Sequence, residues 1–459
     1  MAATATARSV HLVPGEHTGI FSVPAAAAAA AADSKTASVG ITEASARMAS
    51  EVLQEDLEKH HVIFNESGFH NHIVHHILSM YALGASADEI RAAYERDKAY
   101  QRKAIPVDEA VVASLSDPSR FLELLGKGKQ YSNFLSFFQR EIEQVGVEGV
   151  LKEYLFKNGD DQVAKEMLGR LFGGLVHPFI HFGFGIEFEQ PAIVAEALAQ
   201  TAVHEDWTGP RFFWPAEERA GGVGHRGEKS MLEILEEMRR DEKLARSAHW
   251  EDGNKMRDGV LARAGEEMLK YAAEYTVSAE QLEEKVAEMI NTVVYYTSAA
   301  QRPSKQIKFD FFFLHSLNSS IFFSKIIALP FLDTRTKLRL LEWKGRLDLM
   351  LYISRGTPDL YLDELRTYPT AHSWEEIFAY CTQQVEDDGH LVKLVRALAN
   401  GERACRPFEN QHKWPITGDM WLRIANMAMD STSNLDQAMW VRSTGFDQAW
   451  REFEGRTKL

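Results

Sequence analysis

Apolar and small residues recur at spacings of three and four through most of this chain, a period that fits helices and excludes alternating strands. The pattern runs from Ser50 to Tyr81 and meets a stop at Gly84. Shorter runs follow over Asp88–Tyr100, Pro118–Leu125 (with Asp117 as its cap), Tyr131–Val145 and Val147–Phe156. Pro191–Val203 has proline in its first position. Glu205–Ser230 reads as a long connection, before the period resumes over Leu232–Lys243 and Gly259–Thr276. Ser278, followed by Glu280 and Gln281, opens a run towards Tyr296, and Ser373 with Glu376 opens Ser373–Leu398. Phe309–Leu329 is the most apolar segment, and Thr334–Ser354 ends before Gly356 and Pro358. There is no βαβ rhythm, no dinucleotide glycine pattern and no repeat. The expectation is an all-α fold: an Ala-rich flexible leader over 1–45, then one large helical body over 46–459.

Charge and cysteine content narrow the function. Lys and Arg number 51 against 66 Asp and Glu, a net charge of -15, and such a surface repels nucleic acid. Cys381 and Cys405 are the two cysteines, which excludes a disulfide scaffold and a Cys-rich metal site and suits two buried thiols in a reducing compartment. The leader has Arg8 as its one early base and is broken by Gly15, Glu16 and His17, unlike a signal peptide. A cytoplasmic protein is expected, with an organellar address in the leader as the alternative. The aromatic run Phe309–Phe313 is too short to span a bilayer, so no membrane partner is expected.

Histidine is where chemistry concentrates. Six of the 17 fall between positions 60 and 76: His60, His61, His70, His72, His75 and His76. On a helix, His72 and His76 stand one turn apart on one side, able to approach one metal, while His75 points about 100° away. Neighbouring imidazoles repel once protonated, so the cluster needs something that keeps them neutral. A second pair, His177 and His181, lies in HPFIHFGFGIE, where Pro178 marks a helix start and Glu187 is placed to ligate a metal or orient a histidine. His204, at a helix end, is a further candidate in an otherwise ordinary setting. His315 sits among Phe and Leu in FDFFFLHSLNSSIFF, where either a metal or Asn318 and Ser319 would offset its desolvation.

In DDGHLVKLVRAL, His390 and Lys393 share a helical face in apolar surroundings. Burial would deprotonate that lysine, and a neutral amine can take up carbon dioxide to give a metal-ligating carbamate. The plainer alternative is a lysine that reaches water beside Asp387 or Asp388. A scaffold with structural histidines is the corresponding plain reading of the whole set.

The segments HNHIVHHILSMYALGA, HPFIHFGFGIE, FDFFFLHSLNSS and DDGHLVKLVRALA, in this order, resemble the questin oxidase-like family over roughly His60 to Ala399. The resemblance implies a fungal oxidoreductase of aromatic polyketide pathways that uses molecular oxygen. Members have been described as Baeyer–Villiger-type oxidases, and an anthraquinone ring-cleaving member is understood as a non-haem iron dioxygenase with four histidines and a carboxylated lysine. What this implies here is an Fe(II) site from His72 or His76 with His181, His315 and His390, and Lys393 as the carboxylated ligand. His181, His315, His390 and Lys393 would then be the catalytic set, with His177 or His204 as possible replacements and Lys344 as the second lysine to consider. The implied reaction is oxidative C–C cleavage of a polycyclic aromatic such as an anthraquinone, with Phe182, Phe184, Phe311, Phe312 and Phe323 as candidate pocket walls and Arg302 and Asn318 as donors to its oxygens. No flavin or nicotinamide cradle is visible, so NADPH would serve as an external reductant, as a Baeyer–Villiger monooxygenase would need. A metal-dependent hydrolase is the remaining alternative; oligomeric state is left open.

Overall fold

A computed structural model describes residues 4–15, 20–25, 40–157, 159–383, 387–433 and 438–456. Helices account for nearly all its regular structure, as the period demands. Among the described residues the one strand pairing is two residues long, Phe309–Asp310 parallel to Trp440–Val441. No described helix is long and apolar enough to cross a membrane. The chain divides into two compact units: Met1–Gly209 with Phe378–Arg396, and Pro210–Ile377 with Ala397–Leu459.

In the first unit the periodic run from Ser50 to Tyr81 is two helices, α1 (Glu43–Lys59) and α2 (Ile73–Ala82). The break follows from Asn65-Glu66-Ser67-Gly68, a turn in which Gly68 takes φ 79° and Asn65 accepts the Gly68 and Phe69 amides. Ser86 and Glu89 form a reciprocal cap on α3 (Ala87–Asp97). The two runs expected on either side of residue 146 are the two helical segments of α4 (Tyr131–Tyr154), divided at Gly146, whose φ of 74° and ψ of 169° are not helical. Helices α5 (Gly173–Glu187) and α6 (Pro191–Val203) pack closely against each other. Every residue of α2, and every residue of α6 after Pro191, is buried, so these are core helices whose polar side chains must find partners inside.

Part of the expected flexible leader is ordered. The Val10, His11 and Leu12 amides donate to Gln54, Gln190 and Ser50, while Ile20 and Val23 are buried. The alanine run beyond residue 25 lies outside the described residues.

In the second unit, α7 (Leu282–Ala299) packs on α8 (Phe311–Ser320) and α9 (Thr334–Ser354). The apolar stretch from Phe309 starts its helix two residues in, where Asp310 accepts the Phe312 and Phe313 amides. The charges of α9 read as a solvent-facing stripe, yet Glu342 and Arg346 are fully buried, paired at 3.0 Å, with Glu342 also accepting the Val277 and Gly224 amides. Lys344 is buried beside Asp348, which holds it as an ion pair. Helix α10 (His390–Cys405) carries the chain from the first unit into the second.

Candidate metal centre

The turn Asp387-Asp388-Gly389 does three things at the start of α10. Asp387 accepts the Gly389 and Leu391 amides through its side chain, capping the helix. Its backbone oxygen accepts Nδ1 of His390 at 2.8 Å. Asp388, in the left-handed region at φ 60°, accepts Nδ1 of His72. Gly389 takes φ 77°, and a Cβ there would lie 2.6 Å from His76 Cγ, so glycine alone lets this turn approach α2.

A second unusual turn sets His177. Gly174, Leu175 and Val176 take φ values of 52°, 55° and 59°, three left-handed residues before the right-handed helix proper, which begins around Pro178. For Leu and Val this conformation costs roughly 1–2 kcal/mol per residue. It brings the Gly174 carbonyl 2.6 Å from His177 Nδ1, and a Cβ on Gly174 would collide with His204 Nε2 at 2.2 Å.

These contacts fix the tautomers. A carbonyl oxygen only accepts, so Nδ1 of His177 and of His390 carries the proton and Nε2 keeps its lone pair. His72 is in the same state. Burial raises the Asp388 carboxyl, but the His72 imidazole and the Tyr100 phenol hold it down to about 2, so it is an ionised acceptor. Yet His72 Nε2 and His177 Nε2 stand 2.8 Å apart. Two lone pairs at that distance need a proton or a cation between them. Burial lowers the His72 pKa against the pull of Asp388, which disfavours the extra proton. A metal fits: imidazole nitrogens about 2.1 Å from one ion, at right angles, lie about 3 Å apart. The His390 ring stands edge-on to His72 at 4.9 Å.

Lys393, one turn along α10 from His390, is buried and does not reach water as the plainer reading required. Burial pushes its pKa down to about 8 against the opposing pull of Asp388, Asp387 and Asp97. Both carboxylates expected to pair with it are engaged elsewhere, Asp387 on the backbone amides and Asp388 on His72 and Tyr100.

The other sequence candidates lie around this group: the His70 ring stacks on His177 at 3.9 Å, and the His75 ring is 5.7 Å from His72 and 5.3 Å from His181. His76 turns its Nδ1 to Asp97 at 2.7 Å; burial works against its charged form, and Asp97 outweighs that and raises its pKa. His181 places Nε2 3.5 Å from Glu196, whose pKa burial raises. His75 is fully buried between the His181 and Phe184 rings, and burial lowers its pKa well below the ordinary value. His204 donates from Nδ1 to Gln200 and pairs with His70 Nε2 at 2.7 Å; burial pushes it down to about 4. Glu187, expected to ligate or to orient a histidine, instead makes a two-pronged ion pair with Arg396, both fully buried.

His315 belongs to the second unit. It is buried and donates from Nδ1 to the Phe311 carbonyl at 2.8 Å, which gives it the tautomer of His72, His177 and His390. Ser319 bonds backbone carbonyls rather than the ring, so it does not satisfy His315 as the plain reading supposed. The Phe311 and Phe312 rings carry the Arg442 and Arg355 guanidiniums at 4.5 and 4.1 Å, while Arg302 pairs with Asp447. The sequence gives His177 as a replacement for another ligand; its setting is signalled by Gly173-Gly174 ahead of His177-Pro178, a glycine pair that admits a left-handed entry to a helix.

The chain is similar to known fungal proteins over most of its length. The chain is 41% identical over 413 residues to the Baeyer-Villiger oxidase ptaJ of Pestalotiopsis fici, covering 88% of this chain and 92% of that protein. It is 37% identical over 455 residues to the questin oxidase of Aspergillus terreus, covering 97% and 98%. A questin oxidase of Aspergillus fumigatus is 37% identical over 413 residues, covering 88% and 92%. Residues 69–398, which include His72, His177, His315, His390 and Lys393, match the questin oxidase-like family, and the chain belongs to it.

Proposed function

We propose that the chain is a non-haem iron oxygenase that uses dioxygen to cleave a ring of a polycyclic aromatic polyketide, an anthraquinone or a close relative. The observation that carries this reading is the 2.8 Å approach of two imidazole nitrogens whose other nitrogens are both committed as donors. We assign His72, His177, His315 and His390 as the nitrogen ligands, and His76 and His181 as hydrogen-bonding neighbours of Asp97 and Glu196. Lys393 is assigned as the carbamate: the neutral amine adds carbon dioxide and releases one proton, and with a pKa of about 8 roughly a tenth of it is neutral at pH 7. Imidazoles with one hard anionic oxygen suit ferrous iron, which when bound supplies the site for dioxygen. The protein's own part is to hold that donor set in one protonation state in a dry interior.

One relative is named a Baeyer-Villiger oxidase, which suggests a second reading: a monooxygenase in which NADPH from outside would supply two electrons and one oxygen atom would leave as water. Turnover under ¹⁸O₂ separates the two. Both labelled atoms in product without NADPH supports ring-cleaving dioxygenation; one labelled atom with stoichiometric NADPH oxidation supports the alternative. Metal analysis that finds no iron after anaerobic purification and reconstitution would overturn both. With Cys381 and Cys405 both buried as free thiols, we place the protein in the reducing cytoplasm.

A further inference from the structure

We infer that Tyr100 is a positioning residue for the metal centre, acting on His72 through Asp388. The inference rests on the iron reading above and extends it to a residue at the protein surface. Tyr100 closes the short turn Lys98–Tyr100 that follows α3. Its ring is 42% exposed and packs edge-on against Phe64 at 5.1 Å, while its phenol O–H donates to Asp388. Asp388 thus accepts two hydrogen bonds, one oxygen from Tyr100 and the other from His72 Nδ1.

That division of labour has a physical consequence. A carboxylate held by one hydrogen bond can swing about its last torsion, a broad and soft one. The Asp388 side chain is 27% exposed, so without the phenol its outer oxygen would turn to water. Two opposed bonds fix its plane, and with it the direction in which His72 presents Nε2. The backbone at Asp388 is already in the left-handed region, a conformation that Asp and Asn tolerate better than other side chains. Tyr100, Asp388 and His72 therefore form a continuous brace from the surface to the ligand, in which the outermost group touches neither metal nor substrate.

Partners that orient a ligating histidine usually change metal affinity 10- to 100-fold when removed. Tyr100 acts one bond further out, so its effect should be smaller. The test is titration of the full-length apoprotein with Co(II), followed by visible absorption, for wild type, Tyr100→Phe, Asp388→Asn and the double variant. Asp388→Asn should weaken Co(II) binding about 10- to 100-fold and Tyr100→Phe about three- to tenfold. The double variant should bind no more weakly than Asp388→Asn, because the phenol works only through the carboxylate. Tyr100→Phe keeps the ring that packs on Phe64, so its apoprotein should melt as wild type does, and the cobalt absorption bands should shift. Unchanged affinity and spectrum in Tyr100→Phe would overturn the inference, as would a double variant weaker than Asp388→Asn by the full Tyr100→Phe factor. A wild-type protein that binds no Co(II) would overturn the iron reading itself, a failure distinguishable from the other two.

Discussion

If the His72 and His177 nitrogens face each other as lone pairs, the metal is a large part of what holds the first unit together, and replacing His177 by leucine should uncouple the two. At a free metal concentration a thousand times its Kd, binding stabilises the folded form by about 4 kcal/mol. The first unit has about 230 residues, and at about 2.1 cal/mol/K per residue its unfolding entropy near 60 °C is about 0.5 kcal/mol/K. Loading the metal should therefore raise its melting temperature by about 8 °C. His177→Leu removes one of two repelling lone pairs and replaces it with apolar volume, so the apo variant should melt within about 2 °C of apo wild type, a change of about 1 kcal/mol. The same change removes a ligand. If affinity falls about 100-fold, stabilisation drops by about 2.7 kcal/mol and the metal-dependent rise shrinks to about 3 °C. Scanning calorimetry on chelated and Fe(II)-loaded protein, kept anaerobic, reads all four values. An apo variant that melts far below apo wild type while keeping the full metal-dependent rise would show that His72 and His177 share an ordinary hydrogen bond, and the tautomer argument would fail.

Three further outcomes follow from buried charge and strain. Arg396→Met removes the two-pronged ion pair of the buried Glu187 carboxylate and should cost about 3–5 kcal/mol in urea unfolding, most of it recovered by adding Glu187→Leu; equal losses in the single and double variants would contradict this. His204 has its pKa pushed down by burial from 6.5 to about 4, so it stays neutral in the folded chain while the unfolded chain takes up a proton. Stability should therefore fall as pH drops from 6.5 to 4, by about 3 kcal/mol from this group, then level off; His204→Gln should flatten that part of the curve, and an unchanged slope would exclude His204 as its source. Val176→Gly relieves a left-handed β-branched residue, worth about 1–2 kcal/mol, but gives up a buried side chain worth about 1.5–3 kcal/mol, so the apoprotein should lose about 1 kcal/mol while Co(II) binding weakens, because the turn that aims the Gly174 carbonyl at His177 loosens; unchanged Co(II) affinity would show that the turn does not position the ring.

Much of the helical framework was legible in the chain because local rules set it. Pro191 at the first position of α6, the Ser86–Glu89 cap of α3 and the stop of α9 before Gly356 are decided within a turn or two of the residue concerned. Two things were not legible. The periodic stretch through residues 60–72 keeps its apolar spacing although Asn65–Gly68 turns the chain back, so period alone joined α1 to α2. The α9 charges carry no mark that tells a solvated stripe from buried pairs; Glu342 and Arg346 differ from surface residues only in what the rest of the fold places around them.

The centre was legible to the same depth and for a related reason. Spacing put His72 with its neighbours on one element, and His390 with Lys393 on another, and burial of Lys393 followed from Leu391, Val392, Leu394 and Val395 around it. What spacing cannot supply is the direction of a lone pair. His76 satisfies the i, i+4 rule with His72 as well as any ligand pair, yet its ring answers to Asp97, some twenty residues on in the chain. His177 breaks the helical rule, and its ring is aimed by a carbonyl that three left-handed residues have turned round. Each of His72, His177, His315 and His390 has an acceptor placed against Nδ1, the Asp388 carboxylate or the backbone oxygens of Gly174, Phe311 and Asp387, but His76 and His204 have one too, in Asp97 and Gln200, so the acceptor sets the tautomer without by itself marking a ligand. A metal selects for that acceptor, because only a histidine whose proton is held on the far nitrogen presents a lone pair without a further cost. On the proposed assignment, what sets His72 and His177 apart is the pair of turns that bring their Nε2 atoms to 2.8 Å, so the glycines and aspartates of those turns, more than the number of histidines, are what a search for such a centre in a related chain should follow.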